Sequence, residues 1–94
     1  MIVRILGEGQ WEVGDAEVAD LNALDDAVEQ AVAAGDAERL SRALTSLLEE
    51  VRSLGTPVPD GELADSDLIL PAADATIEDV RELLSGSDEG LVPN

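Results

Sequence analysis

Residues 35–55 decide the fold: Gly35-Asp36-Ala37-Glu38-Arg39-Leu40-Ser41-Arg42-Ala43-Leu44-Thr45-Ser46-Leu47-Leu48-Glu49-Glu50-Val51-Arg52-Ser53-Leu54-Gly55. Leu40, Leu44, Leu47, Val51 and Leu54 recur at steps of 4, 3, 4 and 3. That spacing gathers side chains on one face of an α-helix, and Ala43 and Leu48 widen the stripe. Asp36 can cap the first turn by accepting a backbone N–H. Gly35 suits the left-handed residue that closes a preceding helix. One helix is therefore expected to end at Gly35 and the next to begin after Asp36.

Upstream, Val18, Leu21, Leu24, Val28 and Ala31 follow steps of 3, 3, 4 and 3, again one helical face. Gly14-Asp15 breaks the chain before them. Asp15 is the expected N-cap, with Glu17 in the first turn where the helix dipole favours negative charge. A link as short as Gly35-Asp36 forces the two helices to run antiparallel. Their stripes can face each other or cover a sheet.

Ahead of the helices, Ile2 to Leu6 is rich in β-branched residues and stops at Gly7-Glu8-Gly9, after which Gln10-Trp11-Glu12-Val13 alternates polar and apolar. Two such runs around a glycine turn predict a β-hairpin. Trp11 and Val13 share one face, Gln10 and Glu12 the other. Val3 and Ile5 can pair with the Trp11 face, leaving Ile2 and Leu6 opposite. A strand apolar on both sides belongs inside a sheet or under a second layer.

Past the helices, Gly55-Thr56-Pro57-Val58-Pro59-Asp60-Gly61 is expected to be irregular, because its prolines lack N–H groups and Asp60-Gly61 favours a turn. Asp67-Leu68-Ile69-Leu70-Pro71 predicts a buried third strand. Thr76-Ile77-Glu78-Asp79 has the form of a capping box with Asp in the usual Glu place. It opens a short helix carrying Ile77, Val80, Leu83 and Leu84. Ser85 to Gly90 is a polar linker. Leu91-Val92-Pro93-Asn94 then returns two apolar side chains, to dock on the domain or on a partner. The order β-β-α-α-β-α predicts an α+β fold. Its small antiparallel sheet, the N-terminal hairpin plus one later strand, packs with an antiparallel helical hairpin and a short C-terminal helix. Residues 1–94 are read as one domain, with 85–94 a linker and tail.

The composition narrows the function. Five Arg and no Lys stand against 22 Asp and Glu, for a net charge of −17 in 94 residues. Phosphate backbones and anionic lipid surfaces need clustered cations, so nucleic acid and direct membrane insertion are excluded as partners. A basic protein surface is the electrostatic complement, and solubility is the other use of such charge. Apolar residues make up 45% of the chain and are regularly spaced, which argues against disorder. No apolar run approaches the ~18 residues of a membrane span. The N-terminus lacks a signal-peptide pattern, so the expected location is the cytoplasm. With no Cys, no disulfide or thiolate metal site can form.

Catalytic constellations are missing. With no His and no Lys, Ser41, Thr45, Ser46 and Ser53 have no conventional activating base. Gly7-Glu8-Gly9 fits a hairpin turn and lacks the Lys and helix of a phosphate loop. Asp25, Asp26 and Glu29 lie within one turn, and Asp65 and Asp67 share a loop. Neither group has the ligand count and central Gly of a calcium loop. The first is expected on the solvated side of its helix. The reading is no enzyme and no cofactor. Trp11 fits either a core plug in a chain without Phe or Tyr, or an interface anchor. The Leu40–Leu54 stripe fits internal packing or a partner helix.

Four segments together resemble one family. They are Met1-Ile2-Val3-Arg4-Ile5-Leu6-Gly7-Glu8-Gly9-Gln10 with Trp11 and Val13; Gly55-Thr56-Pro57-Val58-Pro59; Ser66-Asp67-Leu68-Ile69-Leu70-Pro71 with Asp74-Ala75-Thr76; and Gly90-Leu91-Val92-Pro93. The chain resembles the PspA-associated PspAA family, met mainly in actinobacteria and archaea, with Trp11 where a Tyr is more familiar. The resemblance implies a partner and no catalytic residue. Its members accompany PspA, the coiled-coil envelope-stress protein of the phage-shock system that assembles on membranes. The expected function is thus a non-enzymatic adaptor or regulator of such a protein, held at the inner face of the membrane only through that partner. Trp11, Pro57, Val58, Pro59, Leu91 and Val92 are the expected partner contacts. The alternatives are a homodimer or larger homo-oligomer formed by pairing sheet edges, and an acidic module that binds divalent cations.

Overall fold

The computed structural model describes residues 1–59 and 65–85. Strand β1 (Ile2–Ile5) turns at Gly7, whose φ of 85° suits a residue without a Cβ, into β2 (Gly9–Glu12). Helices α1 (Asp15–Ala34) and α2 (Ala37–Leu54) follow as an antiparallel pair. Then come β3 (Thr56–Pro57), β4 (Leu68–Leu70) and α3 (Ile77–Ser85).

The local signals at the helix ends are realised in atoms. Gly35 takes the left-handed conformation at φ 67°, and its N–H donates to Val32 O at 3.1 Å. Asp36 Oδ1 accepts from Arg39 N at 3.1 Å, capping α2. At α3, Asp79 N donates to Thr76 Oγ1 and Thr76 N to Asp79 Oδ2, both at 3.1 Å, which is the capping box with Asp substituting for Glu. At α1 the cap lies one residue earlier than expected. Gly14 holds the N-cap position and Asp15 is the first helical residue. Gly14 N donates to Glu17 Oε2 at 3.1 Å, so Glu17 supplies its half of the box, while glycine has no side chain to supply the other.

The α+β class holds, but the sheet is mixed where an antiparallel one was expected. Its order is β3-β2-β1-β4, with β4 parallel to β1 and the other pairs antiparallel. The path of the chain accounts for the parallel pair. The chain crosses from β2 through both helices and β3 before β4, so it re-enters beside β1 in the same direction. The segment expected to be irregular also begins with two residues of strand. Pro57 can join because an edge strand tolerates a missing N–H. β1 lies inside the sheet, between β2 and β4; its Val3 and Ile5 face is buried, while Arg4 and Leu6 on the other face stay exposed.

The core lies between the sheet and the helical hairpin. Val3, Ile5, Val13, Leu68 and Leu70 meet Leu21, Val28, Leu40, Leu44, Leu47, Leu48 and Val51, with Val80 of α3 also buried. The stripe of α2 is therefore internal. A buried Leu such as Leu47 would cost about 3 kcal/mol if cut to Ala. Asp25 departs from expectation: only 2% exposed, it faces inward, while Asp26 is exposed. It falls on the buried side because it follows Leu21 by one helical turn.

Candidate interaction surface

The chain leaves α2 at Gly55 and drops directly onto β2. A Cβ at Gly55 would stand 2.7 Å from Val51 O, 2.9 Å from Trp11 Cβ and 3.3 Å from Val13 Cγ2. Only glycine lets the backbone run this close. The backbone there is extended (φ −85°), so space and not conformation selects the residue. The close approach sets the register: Pro57 lies opposite Trp11, and Thr56 opposite Glu12. One residue on, Val58 N donates to Gln10 O at 2.9 Å.

Four of the six expected contact residues thus converge on one edge. Trp11 is half-buried: part of the indole packs against the core and part stays open to solvent. Pro57 and Pro59 are exposed and Val58 is half-buried. Leu91 and Val92 lie outside the described residues. The edge is short and carries a proline, which blunts it against indiscriminate strand pairing. What it offers is side-chain surface: an indole with the Pro57 ring opposite it in the register and Pro59 two residues on, groups with little conformational entropy to lose.

Polar contacts brace this region. Arg52 at the end of α2 grips Glu8 of the β1–β2 turn through Nε at 2.9 Å and Nη2 at 2.5 Å. The hydrogen bond that Arg52 donates to Glu8 holds the guanidinium above its ordinary pKa, against the opposing effect of burial. Gln10, 7% exposed, donates from Nε2 to Ser66 Oγ at 2.8 Å and so ties β2 to the chain entering β4. Sequence reading missed both contacts. Glu8 and Gln10 carry no periodic signal, and their partners are 44 and 56 residues away.

The other candidates are placed apart. Asp67 Oδ2 accepts from Ile2 N at 2.8 Å, so this carboxylate serves the sheet. Among the described residues no group of three or more carboxylates could hold a metal ion. Nor is any described helix long and apolar enough to cross a membrane. The groove where α2 and α3 begin, about 560 Å³, is lined by Leu40, Ser41, Asp74, Thr76, Ile77 and Glu78 among others. It brings two hydroxyls and two carboxylates to one place.

Comparison with curated proteins and with solved structures found no match. The family model described as PspA-associated protein matches residues 1–94, the whole chain. The four segments that carried the resemblance are thus parts of a match that runs from end to end, and the chain belongs to the PspA-associated protein family, PspAA.

Proposed function

We propose that the protein is a non-enzymatic adaptor that docks on a PspA-type coiled-coil protein and adjusts its activity. The observation that carries this reading is the convergence of Trp11, Pro57, Val58 and Pro59 on one edge, in a chain whose family is described as PspA-associated. The net charge of −17 supports a partner with basic patches, because like-charged surfaces repel at the distances where encounters begin. Any membrane association runs through the partner, at the cytoplasmic face.

The test is size exclusion with light scattering, at low and moderate salt, of the protein alone and mixed with the PspA-type protein of the same organism. A co-eluting complex that weakens with salt is expected. Trp11→Ala in a folded chain should weaken it about tenfold, as for a central aromatic anchor. Separate elution at both salt concentrations would end the adaptor reading.

A second reading is a homodimer joined at the free side of β4. It is favoured by Ile69 and Leu6, 45% and 42% exposed, the large apolar side chains left most open among the described residues. A single monomeric mass at micromolar concentration would dispose of it.

A further inference from the structure

The helical hairpin carries, on its solvent side, a feature that packing does not explain. A groove of about 310 Å³ runs between α1 and α2, lined by Leu24 and Ala27 from one helix and Arg39, Arg42, Ala43 and Ser46 from the other. Leu24 and Ala43 rest against the core and form the apolar floor. Ala27, Arg39, Arg42 and Ser46 are exposed along the rim. Two of the chain's five arginines therefore meet at one groove, in a protein with 22 acidic residues. Arg39 forms no ion pair among the described residues. Among the described residues Arg42 pairs only with Glu38, one turn away on its own helix, and both side chains are about three-quarters exposed. Such a pair stabilises little and can exchange partners readily.

We propose that this groove seats one acidic, amphipathic helix of the PspA-type partner. The inference rests on the adaptor reading for the partner's identity, and adds a second contact with its own chemistry. The trough between two antiparallel helices accepts the ridge of a third. Ala27, Ala43 and Ser46 are small enough for close approach, and Leu24 meets the helix's apolar stripe. Guanidinium groups bind carboxylates through two parallel hydrogen bonds, so Arg39 and Arg42 fix the helix in register. The acidic remainder of the surface repels those same carboxylates everywhere else. Specificity therefore comes from repulsion as much as from attraction.

The experiment is calorimetric titration of the full chain with the same organism's PspA-type protein. It uses wild type, the charge-reversed double variant R39E/R42E, and Ala27→Trp, which fills the groove and keeps its charge. All three substituted positions are exposed, and circular dichroism checks that the helices persist. Both variants should bind at least about tenfold more weakly, and the wild-type complex should weaken with salt. Wild-type binding that both variants retain unchanged overturns this inference and leaves the adaptor reading standing. Failure of the wild type to bind overturns both. Loss in R39E/R42E with normal binding by Ala27→Trp overturns the helix as occupant, since a bulky ring would leave only a charge contact intact.

Discussion

At one edge of the sheet β3 offers two residues, one of them a proline; at the other, β4 offers three residues that stop at Pro71. Both edges are thus kept short, but they are held differently. The β3 edge follows α2 without a break and is fixed by contact, with Gly55 pressed on Trp11 and Val13. The β4 edge arrives from far along the chain, buries Leu68 and Leu70, and is fixed in place by hydrogen bonds as well. Ile2 N reaches Asp67 Oδ2, Asp67 N reaches Ile2 O, Leu6 N reaches Leu70 O, and Gln10 reaches Ser66. Close packing holds the edge that a helix delivers, and polar bonds hold the edge that must find its place.

Substitutions should therefore separate the two edges by size of effect. Gly55→Val is expected to cost the most, about 3 kcal/mol in urea unfolding, because its neighbours are backbone and a Cβ with nowhere to move. A cost under 1 kcal/mol would mean that the β3 edge is not held by contact. Trp11→Ala should follow at about 2 kcal/mol, below the cost of a fully buried ring because half of the indole is already in solvent. Stability equal to wild type would leave Trp11 no part in packing. On the other edge, Asp67→Ala removes one hydrogen bond to Ile2 N and should cost about 1 kcal/mol. Amide exchange at Ile2 that stays as slow as in wild type would show that bond to be dispensable. Smallest of all, Ile69→Lys should change the melting free energy by no more than about 0.5 kcal/mol. A larger loss would reveal that this outward face is covered.

The same contrast separates what could be read in the sequence from what could not. The helices were legible because their signals are local: a stripe repeating every three or four residues, Gly35 and Asp36 back to back, Thr76 answered by Asp79. The hairpin was legible for the same reason, and so was the Val3–Trp11 face. What escaped depends on partners distant in the chain. The parallel setting of β4 is decided by where the crossover returns. β3 exists only because β2 lies beside it, and Pro57 argued against a strand. Asp25 looked like one more solvated acid because its charge was weighed ahead of its place, one turn after Leu21 and one before Val28 on the apolar face of α1. At the candidate surface the residue types could be chosen, and the structure brought four of them together. The groove rimmed by Arg39 and Arg42 was invisible, because its two walls come from two helices whose axial offset no local pattern records.

The parallel pair of β1 and β4 has a consequence for the order in which the protein takes shape. Both hairpins, β1–β2 and α1–α2, join neighbours in sequence and can form as soon as their own residues exist. Ile2 must wait for Asp67, 65 residues downstream. During synthesis the edge of β1 that faces β4, with Ile2 O and Leu6 N among its backbone groups, therefore stays open until β4 has cleared the ribosome. For that interval the helical hairpin is what shields the apolar face of the nascent sheet, and β4 acts as the latch that shuts it.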